Sequence, residues 1–203
     1  MGCVSSSFHL HNQKEIEINS STSSTIIKSK RLFLRTIEEN DLSLYNKLFT
    51  DQKVMSLVNK YVTKIDVISH NNLWEESEVK KFFKDCLENR NDYYTFTIFE
   101  NGQFNGIIHA KRSKKNNKSL NTFFLLDEFA WKQGKGTESM SAFLAFINKI
   151  HLDKNITNIK ARVLSPNTPA IKILKNLGFH IKKSKEFENN TYYNTFEKKL
   201  ITL

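Results

Sequence analysis

The chain has 203 residues, 39% hydrophobic and 12% aromatic with 16 Phe, enough material for one domain built around one core. Its 6 Gly and 2 Pro exclude a collagen-like or Pro-rich chain, and its 2 Cys support neither a disulfide framework nor a Cys-based metal site. The formal charge of +10 favours a polyanionic partner, whether nucleic acid, anionic lipid or a phosphate-bearing cofactor.

Residues 1–28 form a Ser/Thr/Asn-rich segment with little periodicity, expected to be a flexible tail because it carries too little apolar surface to offset its chain entropy. It opens Met1-Gly2-Cys3-Val4-Ser5-Ser6, which fits the myristoylation pattern, with Gly2 as acceptor and Cys3 as a neighbouring palmitoylation candidate. Two acyl chains would hold the protein to a membrane surface, whereas one alone gives marginal binding. No run of about 18 apolar residues is present, so no spanning helix is expected. The expected location is cytoplasmic, at a membrane face if Gly2 is acylated.

The folded domain is expected over 29–203. Residues 31–35 read as a first strand, and the acidic group Glu38, Glu39 and Asp41 suits a helix start. Leu44, Tyr45, Leu48 and Phe49 follow at helical spacing. Val79, Phe82, Phe83, Cys86 and Leu87 form the apolar stripe of a second helix, which makes Cys86 a core residue rather than a nucleophile. Residues 94–99 alternate as a strand, Asn101-Gly102 supplies a tight turn, and 104–110 return as its partner. The basic run 111–118 reads as a solvated hairpin loop, so a nucleic-acid partner is not favoured.

Residues 119–126 form a third strand of this meander, ending Phe123-Phe124-Leu125-Leu126. A Gly-x-Gly loop follows, then a helix with Met140, Phe143, Leu144, Ile147 and Ile150 on one face. Residues 158–164 are a strand, 168–177 a helix closed by Gly178, and 179–183 and 192–198 the last strands. The fold class is α/β (α+β): one domain with a mixed, mostly antiparallel sheet, about four helices, and the order β-α-α-β-β-β-α-β-α-β-β.

The segment Trp131-Lys132-Gln133-Gly134-Lys135-Gly136-Thr137-Glu138 has the form of an anion cradle. Glycines allow close backbone approach, and the first N–H groups of the following helix lack internal partners. Lys132 and Lys135 are expected to add charge. Neither a Walker loop nor a dinucleotide fingerprint is matched.

In its context this segment resembles the acyl-CoA loop of the GNAT acetyltransferases, most of all the ribosomal-protein N-terminal acetyltransferase branch. The opening Arg31-Leu32-Phe33-Leu34-Arg35 with Asp41-Leu42, and the later Arg162-Val163, Asn167, Ala170, Ile171, Leu174 and Leu177-Gly178-Phe179, are similar to the same family. The resemblance spans about 29–199. It implies that acetyl-CoA is the co-substrate, that the amides of Gln133, Gly134, Lys135, Gly136 and Thr137 with Lys132 hold its pyrophosphate, and that no metal is needed. It also implies that the strand ending at Leu125 and Leu126 parts from its neighbour and leaves backbone for the pantetheine. Asn167 is either a cofactor contact or a helix N-cap.

Two family features are replaced: the Glu that often serves as base is Asn121, and the Tyr that often serves as acid is Leu174. His109, Tyr193 and Tyr192 remain as candidates to move protons, each with a packing role as its alternative. The expected activity is direct acetyl transfer to a primary amine, a protein N-terminus or lysine before a polyamine. The alternative is a membrane-tethered GNAT-fold module that binds acyl-CoA without turnover.

Overall fold

A computed structural model describes residues 17–20, 24–56, 58, 73–188 and 191–200. Among these residues nine strands form one sheet: β1 (Glu17–Ser20), β2 (Thr25–Lys28), β3 (Phe33–Thr36), β4 (Tyr93–Glu100), β5 (Gln103–Arg112), β6 (Ser119–Leu126), β7 (Asn158–Leu164), β8 (His180–Glu188) and β9 (Thr191–Lys199). Their spatial order is β1-β2-β3-β4-β5-β6-β7-β9-β8. Only β6 and β7 run parallel among the described strands; the other neighbours are antiparallel.

Among the described residues five α-helices cover the faces: α1 (Leu42–Thr50), α2 (Gln52–Ser56), α3 (Glu76–Glu88), α4 (Lys135–Ile150) and α5 (Thr168–Asn176). Strand alternation divides the core in two. Ile108 faces a cluster with Met140, Phe143 and Ile147 of α4 and Leu174 of α5, while Ile107 and Leu125 face Tyr45, Phe49, Phe82 and Phe83 of α1 and α3. The α3 stripe follows its 3.6-residue period, and its first turn is closed by a Glu75/Glu78 capping box. Asn101 and Gly102 take φ of 49° and 79°, the left-handed pair that a two-residue hairpin turn needs.

The expected tail boundary at residue 28 is corrected. β1 and β2 belong to the sheet, with Ile27 wholly buried opposite Leu34 and Ile18 opposite Ile27. Isolated Ile residues among Ser and Thr carry little helical or strand periodicity, yet both residue types suit a pleated edge. The short α2 was also not read from the sequence; Val54 and Met55 bury it beside α1. Gly2 and Cys3 lie outside the described residues.

Candidate active site

The site forms where two parallel strands part. β6 and β7 pair from Ser119↔Asn158 to Thr122↔Ala161 and no further, although both strands continue. Beyond that rung the Asp127 amide donates to the Asn105 carbonyl at 3.0 Å, so Asp127, and by the two-residue pleat Leu125 and Phe123, turn their backbone groups toward β5. Phe124 and Leu126 therefore turn theirs toward the gap.

This corrects one expectation. Leu125 lines the cleft, but its carbonyl lies against β5, so close that a Cβ on Gly106 would sit 2.2 Å from it. Phe124, not Leu125, shares with Leu126 the backbone edge facing the opening. The Leu126 carbonyl already accepts a hydrogen bond from the Trp131 indole nitrogen at 2.9 Å.

The loop that follows is shaped by two left-handed residues. Lys132 has φ 58° and Gly134, the N-cap of α4, has φ 77°. The first helical bond runs from the Glu138 amide to the Gly134 carbonyl (3.1 Å), which leaves the amides of Lys135, Gly136 and Thr137 without intrahelical partners. These donors sit at the positive end of a 16-residue helix. Gly136 is needed for packing, because a Cβ there would lie 2.8 Å from Ile173 of α5 and 3.3 Å from Leu126.

A clamp from the turn between β2 and β3 holds the loop in place. One Glu138 oxygen accepts from the Ser29 hydroxyl (2.8 Å) and the Arg31 amide (2.7 Å), and the other from Arg31 Nε (2.7 Å). The Arg31 guanidinium also donates to the Gln133 carbonyl at 3.0 Å. Burial raises the Glu138 pKa, but the bonds from the Arg31 amide, Ser29 and the Arg31 side chain outweigh it and hold the carboxyl below its ordinary value.

Lys135 departs from its expected role. Its side chain is 6% exposed and turns inward, bonded to Asn105 Oδ1 (2.8 Å) and Glu100 (2.7 Å). Only its amide faces the cradle. Lys132 is exposed on the loop, and Lys172 of α5 lines the opposite wall.

Loop, parted strands and α5 enclose a cleft of ≈ 750 Å³. Phe124, Leu126, Trp131, Ile173 and Val54 give it apolar walls, and Gly134, Gly136 and Thr137 its cradle. Asn167 caps α5, its Oδ1 accepting the Ala170 amide (3.2 Å), and the residue also lines the cleft. Among the described lining residues there is no Asp, Glu, His, Cys or Tyr.

The side chains considered for proton transfer lie elsewhere. His109 is 4% exposed, packed against Phe82, Tyr93 and Phe123, with Nδ1 2.8 Å from Thr95 Oγ1 and 3.7 Å from Cys86 Sγ. Burial, reinforced by Lys111, pushes its pKa down to about 3, so it stays neutral and sealed from solvent. Burial likewise raises the Cys86 thiol to about 12. Tyr193 stands on β9 opposite Leu164, with β7 between it and β6, and does not line the cleft; Tyr192 points to the other face. Asn121 is exposed, and Leu174 is buried in the core under α5.

The sequence reading missed Phe124, the Trp131–Leu126 bond and the Arg31–Glu138 clamp. Pleat parity from Asp127 would have selected Phe124, whereas a partnership across 107 residues leaves no local signal.

A family model described as an acetyltransferase (GNAT) domain matches residues 31–180. The chain belongs to the GNAT acetyltransferase family. This GNAT enzyme is similar in fold to a GNAT-family acetyltransferase from Bacillus anthracis (TM-score 0.67, 15% identity, 86% of this chain and 98% of that one). It is also similar to a Vibrio cholerae spermidine N-acetyltransferase in complex with CoA and spermine (0.68, 15%, 85% and 97%). A third similar structure is RimL, a ribosomal-protein α-N-acetyltransferase in complex with coenzyme A (0.69, 15%, 86% and 98%). No curated protein sequence matches the chain significantly. Among the described residues no helix of this GNAT chain is long and apolar enough to cross a membrane, and no group of three or more His, Cys, Asp and Glu could hold a metal ion.

Proposed function

We propose that this enzyme moves acetyl from acetyl-CoA directly to a primary amine, with a protein N-terminus or lysine preferred to a polyamine. The observation that carries the reading is the junction of a three-amide helix start with a parted strand edge along one ≈ 750 Å³ cleft. The amides of Lys135, Gly136 and Thr137 suit a pyrophosphate, and Lys132 and Lys172 add charge at its rim. The edge formed by Phe124 and Leu126 suits an amide-bearing arm such as pantetheine, paired as an extra strand.

The chemistry asks little of side chains. A neutral amine attacks the thioester carbonyl, the C–S bond breaks, the thiolate takes up a proton, and the ammonium proton leaves to water. Alignment in the cleft and backbone polarisation of the carbonyl supply the acceleration. With no carboxylate, imidazole, thiol or phenol in the described lining, the amine proton passes through water, so the rate should rise with the fraction of neutral amine as pH increases.

Mass analysis of peptides and small amines incubated with the enzyme and labelled acetyl-CoA tests this. Acetylated product on an N-terminal or lysine amine is expected, while exclusive acetylation of spermidine would contradict the acceptor preference. The absence of carboxylate, imidazole, thiol and phenol from the described lining also favours a second reading, a non-catalytic module held at a membrane through Gly2 and Cys3. A CoA-induced melting shift without turnover on any amine would select it.

A further inference from the structure

Past the cleft, the sheet continues through β7, β9 and β8; on the side of Asn121 and Phe123, α1 and α3 cover Phe123, but their core cluster includes no described residue of β7, β9 or β8. Side chains opposite one another on paired strands share a face. The register Asn121↔Lys160, Arg162↔Thr195, Lys183↔Thr195, Leu164↔Tyr193 and Lys185↔Tyr193 therefore places Lys160, Arg162, Lys183 and Lys185 on this side. Lys182, in the bulge beside Lys183, reaches the same side by bonding Glu197 at 2.7 Å.

Among the described side chains of these strands, Glu197 is the only carboxylate on this face, and it is already engaged by Lys182, Lys160 (3.5 Å) and Asn158. Arg162, Lys183 and Lys185 have no ion-pair partner among the described residues, and Lys183 and Lys185 are exposed. Their position matters as much as their sign. Arg162 is the first β7 residue beyond the last β6 rung and lines the small cavity at the parting, beside Phe123 and Leu164. Lys183 lies two strands farther out, about 10 Å at ordinary strand spacing, which about three residues of extended chain would cross.

We infer that the basic face of Arg162, Lys183 and Lys185 selects an anionic acceptor: a polypeptide N-terminus with carboxylates at about its third to fifth residues. This rests on the proposed transfer reaction and names its substrate class. A free amine at the parting would run its following residues over the two lysines. A polyamine meets like charge, since several ammonium groups would have to cross a face on which the described Lys and Arg outnumber the described carboxylate.

The test compares peptides that share a first residue and differ only in positions 3–5, as Asp/Glu, Ser or Lys, alongside spermidine. The acidic peptide should show kcat/KM at least tenfold above the lysine peptide at low salt, shrinking as ionic strength rises. The double variant Lys183→Glu/Lys185→Glu should reverse that order, and an unchanged CoA-induced melting shift would show its fold intact. Equal rates across the panel, a preference for spermidine, or discrimination that survives charge reversal would overturn the inference.

Binding is measured separately from turnover with a fluorescent, N-acetylated acidic peptide. Lysine-dependent binding of this product supports the acidic occupant even if no amine is acetylated, in which case the transfer reading fails alone. Charge-dependent binding of an RNA oligomer without binding of the acidic peptide would assign the face to nucleic acid and overturn the proposal.

Discussion

The cleft between β6 and β7 and the polar layer beneath α1 and α3 use opposite materials. The layer is rich in side-chain chemistry: Arg35 grips Asp41 through two bonds (2.8 and 2.7 Å), Asp41 accepts from Thr97 (2.9 Å), Thr97 meets Tyr45 (3.3 Å), and Thr95 meets His109 (2.8 Å). Apart from the partly exposed Arg35, these groups are buried, beside the aromatic cluster of α1 and α3. The cleft is open and its described lining has no carboxylate, imidazole, thiol or phenol; the donors of its cradle are backbone amides held in position by glycines and by the Arg31–Glu138 clamp. In this molecule the titratable groups stabilise the scaffold, and the backbone makes the site.

Gly106 joins the two regions, so its replacement should have the largest effect. With φ 145° and a Cβ that would lie 2.2 Å from the Leu125 carbonyl, Gly106→Ala combines a disfavoured conformation with a backbone clash. A loss of about 3 kcal/mol in urea unfolding is expected, with CoA binding weakened as β6 shifts. A fully stable variant would show that the two regions are not coupled there.

Breaking the clamp should affect the cleft more than the fold. Glu138→Gln keeps the shape and removes the charge; a stability loss of only about 0.5–1 kcal/mol is expected for this partly exposed pair, with CoA affinity falling several-fold. The acid dependence has a definite sign. The folded carboxyl is held below the ordinary value of 4.5, so its contribution is complete above that pH and is lost as pH falls through the lowered value. CoA protection from melting should fade in that window in the parent and not in the variant.

The smallest catalytic effect should come from His109. His109→Gln keeps a partner for Thr95 and should leave acetyl transfer within about twofold, because the ring is sealed from the cleft. Its signature is thermal. A folded value near 3 against an ordinary 6.5 means no penalty above 6.5 and a growing one below it, up to about 1.4 kcal/mol per pH unit. The parent should therefore lose melting temperature faster than the variant between pH 7 and 5.

How far each region could be read from the sequence follows from the same contrast. The cradle was legible because Gly134, Gly136 and the switch from strand to helix are local signals, and the α3 stripe because its period is regular. His109 misled because residue type announces chemistry while burial, which removes it, depends on Phe82 of α3 and Phe123 of β6, far apart in sequence. Lys135 misled in the same way, since its partners Glu100 and Asn105 come from β4 and β5. β1 and β2 were hidden because their burial is supplied by β3 and α4 rather than by a pattern of their own.

The most direct test is titration of CoA into the parent, Gly134→Val and Lys132→Ala, with melting temperature as the control for folding. Gly134→Val forces a branched residue toward the left-handed region and misdirects the amides, whereas Lys132→Ala removes one exposed charge. A backbone-built cradle predicts more than a tenfold loss of affinity for Gly134→Val and less than about fivefold for Lys132→Ala. The reverse order, with the glycine variant folded, would contradict it.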